Sequence, residues 1–355
     1  MADKVLMKGN EAIAEAAIKA GCRFYFGYPI TPQTEIAAYM AKRMPKIGGT
    51  FLQAESEVAA VNMCIGVAST GKRVMTSSSS PGVSLKAEGI SYMAGCDLPA
   101  LIVNVQRGGP GLGGIQPSQS DYFQATKGGG HGDYHLFVVA PASVQEMVSL
   151  TAHAFDVAEK YRVPAMLLAD GTLGQMMEPV VIDDITVEEH DKSWALTGTK
   201  GEREHNVINS LSMLPEELEQ WNIDRYQRYA QIEKNEPMWE EYEMEDAEIC
   251  VVAFGIASRV SRNAIKAARE KGIKVGMIRP ITLWPFPKEA LLASTEKAKA
   301  YVTVELNMGQ MAEDVELATR CRRPVLSANR AGGCIPSPEQ VLAQIEAANQ
   351  LGGEQ

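Results

Sequence analysis

The sequence predicts an α/β protein with a doubly wound parallel sheet, followed by a second, smaller α/β domain. From residue 1 to about 185, segments with helical periodicity alternate with short apolar runs. Helices that alternate with apolar strands imply a parallel sheet covered on both faces. The same alternation returns after residue 246. A chain of 355 residues, 45% of them hydrophobic, has enough apolar material for two cores.

The elements of the first domain, 1–185, follow from their local patterns. We predict helices in NEAIAEAAIKAGC, TPQTEIAAYMAKRM, ESEVAAVNMCIGVAST, LKAEGISYMAG and VQEMVSLTAHAFDVAEKY. We predict strands in CRFYFGYPI, KRVMTSSSS, PALIVNVQ and VPAMLLAD. Each predicted strand is short and apolar, as buried strands of a parallel sheet are.

Residues 186–245 break this pattern, because the segment is charged and poor in aliphatic side chains while keeping helical spacing. We predict a linker or clamp helix there. Its aromatic residues are candidates for part of a partner surface: Trp221, Tyr226, Tyr229, Trp239 and Tyr242. The second domain, 246–355, is predicted to contain the strands EICVVAFG, IKVGMIRP and AYVTVEL and to end in an amphipathic helix with a loose end.

Composition limits the function. The formal net charge of -10 and the pI near 5.2 argue against nucleic acid or an anionic membrane as a partner. The sequence shows neither an apolar run of about 18 residues nor a signal-peptide core, so we expect a cytoplasmic protein. The six cysteines include no CxxC pair, which argues against a zinc or iron–sulfur site and favours buried thiols.

The first candidate site is FGYPITPQTE, where a predicted strand ends at Tyr28 and Pro29. Thr31 is predicted to cap the next helix, with Pro32 at the first helical position. A helix start at the carboxyl end of a parallel strand can hold a carboxylate. The alternative is that Thr31 only caps its helix.

The second candidate is the start of the helix in QAESEVAAVN, which carries Glu55 and Glu57. A carboxylate that heads an otherwise apolar helix can be buried and functional. Acidic residues are also common in the first turn of a helix, so a capping role is the alternative.

Two more segments place polar groups at strand ends. In TSSSSPG, the serines 77–80 precede a predicted Pro81-Gly82 turn and could line a polar pocket or a solvated turn. In VQRGGPGLGG, Arg107 is followed by glycines in a GxGxxG spacing, but no apolar helix follows. We therefore predict an active-site loop with an arginine for a carboxylate, or a surface arginine, instead of a dinucleotide site.

Other polar residues are less informative. His131 and His135 are four residues apart in a glycine loop and do not predict a metal site. Glu305, Asn307 and Gln310 cluster at a predicted strand end, where either a partner contact or a solvated loop is possible.

The ordered set YPITP, AESEVAAVNMCIG, TSSSSPG, VQRGGPG and ELNMGQM resembles the alpha subunits of the 2-oxoacid:ferredoxin oxidoreductases. The resemblance runs from about residue 5 to 345, apart from the linker, and is greatest to the 2-oxoisovalerate (3-methyl-2-oxobutanoate) branch. It implies a pyrimidine-binding domain for thiamine diphosphate and a second domain similar to the C-terminal domain of transketolase.

The resemblance also implies roles for single residues. Glu57 matches the glutamate that hydrogen-bonds the aminopyrimidine ring and so activates the cofactor, with Tyr28 and Pro29 in the neighbouring cofactor-binding segment. Thr31 and Arg107 match positions that hold the substrate carboxylate in pyruvate-specific relatives. The implied reaction is CoA-dependent oxidative decarboxylation of a branched-chain 2-oxoacid to acyl-CoA and CO₂, with ferredoxin as the electron acceptor.

One family element is missing. Thiamine enzymes bind Mg-diphosphate through a GDG segment followed by an asparagine, and the nearest string here, ADGTLG at 169–174, lacks the first glycine. The resemblance therefore implies that Mg²⁺, diphosphate and the iron–sulfur cluster belong to a beta subunit or a ferredoxin-like subunit. The alternatives are the same chemistry on 2-oxoglutarate and a non-catalytic assembly subunit.

Overall fold

The computed structural model describes residues 4–182 and 185–351. The strands in these ranges are β1 (Val5–Lys8), β2 (Phe24–Gly27), β3 (Thr50–Gln53), β4 (Val74–Ser78), β5 (Leu101–Gln106), β6 (Phe137–Val139), β7 (Ala165–Asp170), β8 (Met177–Val180), β9 (Trp239–Tyr242), β10 (Ile249–Ala253), β11 (Val275–Pro280), β12 (Thr282–Trp284), β13 (Ala300–Glu305) and β14 (Val325–Asn329). Residues 1–3, 183–184 and 352–355, which include the end of the predicted tail, lie outside the described residues.

The helices of the same ranges separate these strands. They are α1 (Gly9–Lys19), α2 (Thr34–Arg43), α3 (Glu57–Ala68), α4 (Ser80–Gly95), α5 (Tyr122–Thr126), α6 (Val144–Tyr161), α7 (Gly171–Gln175), α8 (Pro215–Asn235), α9 (Gly255–Glu270), α10 (Lys288–Ser294), α11 (Gln310–Ala318) and α12 (Pro338–Leu351). None of the helices in the described ranges is long and apolar enough to cross a bilayer.

The larger sheet has the strand order β12-β6-β7-β5-β4-β2-β3. All neighbours are parallel except β12, which pairs antiparallel with β6. Strands β4, β5 and β7 are buried along their whole length, because helices pack on the sheet. The predicted α/β class with a doubly wound parallel sheet is confirmed.

The smaller sheet has the order β14-β13-β10-β11-β9, with only β9 antiparallel among these strands. Strand β9 comes from the predicted linker, whereas β12 comes from the second segment and joins the first sheet. The sheets therefore exchange edge strands across the predicted boundary at 245, and the division into domains at 185 and 245 stays a prediction.

The predicted clamp helix exists as α8, and it packs on the first sheet's side of the molecule. Tyr229 is buried and its ring contacts His135 and Trp284, whereas Tyr226 and Trp239 are exposed. Arg225 reaches from α8 to Asp97, which lies just after α4. The aromatic set proposed as a partner surface is therefore divided between the core and the exterior.

Side chains after β5 join the two sheets. Gln119 donates from Nε2 to the Phe254 carbonyl (2.9 Å), and its Oε1 accepts from the Leu306 amide (3.0 Å). The Asn307 side chain donates to the Gln119 carbonyl (2.8 Å). The alternative of a solvated loop for the cluster at 305–310 was wrong for Glu305 and Asn307, because both are buried at this junction.

Candidate functional site

The candidate site lies at the carboxyl ends of β2, β3 and β4, where helix α3 begins at Glu57. Ser56 caps the helix, since its Oγ accepts a hydrogen bond from the Ala59 amide (3.1 Å). The exposed fraction of Glu57 is 6%, while Glu55 faces solvent. Because Ser56 performs the capping, the Glu57 carboxylate is left without a hydrogen-bond donor from the described part of the chain.

Gly82 makes room for this carboxylate. A Cβ atom placed on Gly82 would lie 2.6 Å from Glu57 Oε1 and 2.1 Å from Ser78 Oγ. The hydroxyls of Ser78 and Ser79 are buried and have no hydrogen-bond partner among the described residues. Buried polar atoms without partners are unusual, and the Ser78 hydroxyl and the Glu57 carboxylate meet beside Gly82 at a place that a ligand could satisfy.

The serine segment is a buried strand end. The prediction of a Pro81-Gly82 turn was wrong, because α4 begins at Ser80 and the first turn of a helix tolerates proline. Ser77 belongs to a buried chain of hydrogen bonds in which its Oγ lies 2.6 Å from the Tyr25 hydroxyl and donates to Gln33 Oε1 (2.6 Å). The solvated-turn alternative is therefore excluded.

Thr31 does not cap a helix, so that expectation was wrong. Helix α2 begins at Thr34 and its N-cap residue is Gln33. The Pro32 carbonyl accepts hydrogen bonds from the side chains of Asn10 (2.8 Å) and Gln175 (3.3 Å), which hold the chain in a turn here. Thr31 lies exposed in that turn, and Tyr28 and Pro29 are exposed just before it.

The structure brings Thr31 and Arg107 together, although through the backbone of Thr31. Arg107 is 8% exposed and donates from Nη1 to the Thr31 carbonyl (3.1 Å) and from Nη2 to the Leu112 carbonyl (3.1 Å). Its buried Nε has no hydrogen-bond partner in the part of the chain that the structure describes. A surface arginine is excluded, and a guanidinium group has five N–H donors, so donors remain for an anion.

The glycine segment after Arg107 forms a loop, as expected. The Gly108 amide donates to the Gln116 carbonyl (3.0 Å), and the next helix begins only at Tyr122. A cavity of about 750 Å³ opens between this loop and the second sheet. Asp121 is the charged residue of its lining; the Asp121 carboxylate accepts from Ser80 and Asn104, and burial raises its pKa.

Neither histidine forms part of this site. His131 is exposed, and the His135 ring stacks on Trp284 with centroids 4.5 Å apart. Within 4–182 and 185–351, we find no group of three or more His, Cys, Asp or Glu side chains placed to hold a metal. Among the cysteines, Cys321 and Cys334 are exposed, so the expectation of buried thiols was wrong for them.

Asp170 belongs to the string that is nearest to a GDG segment. Each of its carboxylate oxygens accepts a hydrogen bond from a backbone amide of this chain. Its Oδ1 accepts from the Thr172 and Leu173 amides (2.9 and 3.0 Å), and its Oδ2 accepts from the Ile256 amide (3.3 Å). Burial raises the pKa of this carboxyl to about 6. The residue caps α7 and joins the two sheets.

Sequence reasoning missed Gly82 as a spacer and Lys86 as a buried cation. Lys86 follows Gly82 by four residues, so the two share one face of α4. A lysine near the start of the predicted helix LKAEGISYMAG was the available signal. Its meaning depends on α3, which only the fold places beside it.

Comparisons with known proteins place the chain in a family. Residues 15–246 match the family model described as pyruvate flavodoxin/ferredoxin oxidoreductase, thiamine diphosphate-binding. Residues 247–341 match the model described as pyruvate:ferredoxin oxidoreductase core domain II. The two models together cover the seven-stranded and the five-stranded sheet.

Individual relatives agree with these models. The ketoisovalerate oxidoreductase subunit VorB of Methanothermobacter marburgensis is 49% identical over 350 residues, which is 98% of each chain. The 2-oxoglutarate synthase subunit KorA of Methanocaldococcus jannaschii is 38% identical over 360 residues, which is 94% of this chain and 97% of the relative.

A solved structure shares the fold. It is a 2-oxoglutarate:ferredoxin oxidoreductase from Magnetococcus marinus with 2-oxoglutarate, coenzyme A and succinyl-CoA bound, 28% identical with a TM-score of 0.87. The match covers 98% of this chain and 65% of that chain, so this chain spans about two thirds of it. The chain therefore belongs to the 2-oxoacid:ferredoxin oxidoreductase family, in the branch that contains the ketoisovalerate oxidoreductase subunits.

Proposed function

We propose that this chain is the cofactor-activating subunit of a 2-oxoisovalerate:ferredoxin oxidoreductase and contributes the aminopyrimidine side of a thiamine diphosphate site. The observation that carries the proposal is the Glu57 carboxylate, which is buried at the start of α3 without a hydrogen-bond donor in residues 4–182 and 185–351. The identity to VorB over nearly the whole chain supports the branched-chain substrate.

The residues present fit such a cofactor. Glu57 can hold or accept a proton at a ring nitrogen, since nothing in the described residues occupies its oxygens. The unpartnered hydroxyls of Ser78 and Ser79 can hydrogen-bond polar atoms of the same ring. When bound, thiamine diphosphate supplies the carbon nucleophile and the electron sink for decarboxylating a 2-oxoacid. A ring bound beside this buried carboxyl group would share its proton with Glu57 and not with bulk water.

Arg107 is proposed to position the substrate carboxylate. The guanidinium already ties the Thr31 turn to the glycine loop through two carbonyls. Its remaining donors, including the unpartnered Nε, are suited to a carboxylate. The exposed side chains of Thr31, Tyr28 and Pro29 belong to the same turn and are proposed to border the substrate and the cofactor.

Other components are proposed to reside in partner chains. Asp170, which comes nearest to a Mg-diphosphate motif, has both oxygens engaged by backbone amides of this chain. The six cysteines are dispersed along the sequence, which supports an iron–sulfur cluster in a beta or ferredoxin-like subunit. We propose that the complex takes CoA and a 2-oxoacid, reduces ferredoxin and works in the cytoplasm.

Anaerobic viologen reduction tests this function. The chain is co-expressed with its beta subunit and assayed with CoA and a panel of 2-oxoacids, as wild type and as Glu57→Gln. We expect the highest kcat/KM on 3-methyl-2-oxobutanoate and a loss of at least about 100-fold in the variant, the typical range for a lost proton-transfer group. Equal rates in the variant would leave the chain as an assembly subunit.

A 2-oxoglutarate specificity is the second candidate, because KorA subunits and the Magnetococcus structure are also similar to the chain. A second carboxylate would need a second cation in the pocket. The higher identity to the VorB subunit, 49% against 38% for KorA, favours the branched-chain substrate. Preferential turnover of 2-oxoglutarate in the same panel would reverse this choice.

A further inference from the structure

Residues 118–123 lead from the glycine loop into α5 and are bound from the smaller sheet's side of the molecule. Gln310, the first residue of α11, binds this segment with both ends of its side-chain amide. Its Nε2 donates to the Ser120 carbonyl (2.8 Å), and its Oε1 accepts from the Phe123 amide (2.8 Å). One side chain therefore holds the backbone on both sides of Asp121.

Asp121 is joined to two polar side chains that belong to the larger sheet's side. Its Oδ2 accepts from the Ser80 hydroxyl (2.6 Å) and from Asn104 Nδ2 (2.9 Å). The Ser80 amide donates to Asn104 Oδ1 (3.1 Å), which closes a ring of hydrogen bonds. Asn104 is fully buried and Ser80 is 9% exposed, so these contacts are shielded from water.

This ring holds the backbone of Arg107. The Arg107 amide donates to Ser80 Oγ (3.1 Å), and the Arg107 carbonyl lies 3.2 Å from the same oxygen. A hydroxyl group has one hydrogen, and the shorter contact with a carboxylate takes it. Asp121 therefore orients the Ser80 hydroxyl so that a lone pair faces the Arg107 amide. The Asp121 amide in turn donates to Gln106 Oε1 (3.0 Å), so the residue before Arg107 is tied to Asp121 as well.

Arg107 is thereby fixed at both ends of its side chain. Its guanidinium group is held by the carbonyls of Thr31 and Leu112, whereas its backbone is held by the ring around Asp121. Its Nε, which has no hydrogen-bond partner in the described residues, is bonded to the last methylene group of the side chain and follows the backbone. The direction of this donor therefore depends on Asp121 and, through residues 118–123, on Gln310.

We propose that Asp121 is a positioning residue for Arg107 and that Gln310 holds Asp121 in place from the smaller sheet's side. The inference rests on the proposed role of Arg107 in binding the substrate carboxylate. Without the Asp121 carboxylate, the Ser80 hydroxyl is free to rotate, and the buried Asn104 amide loses its acceptor. Arg107 then meets the substrate in several positions, and a misplacement of about 1 Å is enough to weaken an oriented contact.

Steady-state kinetics of the assembled complex test this role. Asp121→Ala is co-expressed with the beta subunit and assayed by viologen reduction with CoA and 3-methyl-2-oxobutanoate. We expect the KM of the 2-oxoacid to rise by about tenfold or more, with a smaller change in kcat, because the carboxylate contact is made in the ground state. The KM of CoA should stay the same. Gln310→Ala should raise the KM of the 2-oxoacid less, by about threefold, because Asp121 keeps its own hydrogen bonds there.

Control variants separate positioning from a general loss of structure. Asp121→Asn keeps an oxygen that can accept from Ser80 and Asn104, so it should restore the KM to within about threefold of the wild type. Gln124→Ala removes another polar side chain from the lining of the same cavity and should keep the wild-type KM. Glu316→Ala, an exposed position on α11, is the corresponding control for Gln310→Ala.

Hydrogen exchange gives a reading that needs no turnover. It is measured in residues 106–112 of the assembled complex without substrate. We expect faster exchange in Asp121→Ala and Gln310→Ala than in the wild type, because the backbone of Arg107 is held less firmly. Asp121→Asn should exchange at the wild-type rate.

The outcomes distinguish this inference from the proposed function. An Arg107→Gln complex with the wild-type KM for the 2-oxoacid would overturn the proposed role of Arg107 itself. A KM that rises in Arg107→Gln but stays at the wild-type value in Asp121→Ala and Gln310→Ala would overturn only the positioning role. An equal rise in Asp121→Asn, or in the KM of CoA, would overturn that role too, since neither follows from a lost acceptor beside Arg107. If Asp121→Ala does not assemble, wild-type KM and exchange in Gln310→Ala decide against the proposal.

Discussion

Glu57 and Gly82 show how one missing side chain defines a site. Glu57 begins a helix that Ser56 already caps, so its carboxylate is free for other chemistry. Gly82 is within the first turn of α4, where a larger residue would fill the space next to that carboxylate. The functional group is thus available because two neighbours provide capping and space.

We predict that Gly82→Ala weakens thiamine diphosphate binding in the assembled complex by at least about tenfold, which is about 1.4 kcal/mol. The added Cβ would lie 2.6 Å from Glu57 Oε1 and 2.1 Å from Ser78 Oγ, so both groups must move. Calorimetric titration measures the affinity, and thermal unfolding reports whether the fold persists.

Gly66→Ala is the matched control for this substitution. Gly66 is also helical, and a Cβ placed there meets nothing within 4 Å. Alanine in an exposed helix should leave binding unchanged and raise stability by about 0.5 to 1 kcal/mol. Equal affinities for both alanine variants and the wild type would contradict the spacing argument.

Helix α8 is the element whose role differs most between sequence and structure. Eight of its 21 residues are charged, yet Tyr229 and Ile232 are buried where the helix packs beside the first sheet. Arg225 is buried as well, and it donates from Nε to Asp97 (3.2 Å) and from Nη2 to the Gly95 carbonyl (3.1 Å). The helix is therefore held by a buried cation in addition to apolar packing.

We predict that Asp97→Asn loosens α8. The substitution leaves Arg225 buried without a carboxylate, a change that costs up to about 3 to 5 kcal/mol for fully buried pairs and less here, because Asp97 is 26% exposed. Hydrogen exchange in residues 215–235 should become faster. Asp224→Asn, an exposed site on the same helix, is the control, and equal exchange in both variants would refute the anchoring role.

Buried polar contacts connect the larger sheet's domain to the smaller one. Tyr122 donates to Asp314 (2.5 Å), and Glu305 accepts hydrogen bonds from the Met311 and Ala312 amides (2.7 and 3.2 Å) at the start of α11. Burial raises the pKa of Glu305 to about 7. The junction that supports the cavity therefore contains a carboxyl group that titrates near neutrality.

We predict that this carboxyl makes stability fall with pH. A raised pKa means that the folded state binds the proton more tightly than the unfolded state. The stabilisation is complete below about pH 4.5, the ordinary value, and is lost as pH rises through about 7. The thermal midpoint of Glu305→Gln should therefore rise relative to the wild type between pH 4.5 and 7.

Glu313→Gln, on the exposed side of α11, supplies the comparison and should keep a constant difference from the wild type. Parallel curves for Glu305→Gln and the wild type across this range would show that Glu305 does not titrate in the folded protein.

The sequence by itself determined the α/β class, the long helices and the central strands, because these depend on local periodicity. It also singled out Glu57 and Arg107, since their residue types stand out at predicted helix starts and strand ends. Short edge strands such as β3 and β12 were not predicted, because their pairing depends on neighbours distant in sequence.

Only the tertiary structure decided how the site residues meet. Helix α2 begins at Thr34 and not at the predicted Thr31. The side chains of Asn10 and Gln175, from two other helices, hold the chain before it in a turn. The tertiary structure also placed Gly82 beside Glu57, a relation that follows from the packing of α3 on α4. Contacts between residues far apart in sequence leave no local pattern, so only the fold could show them.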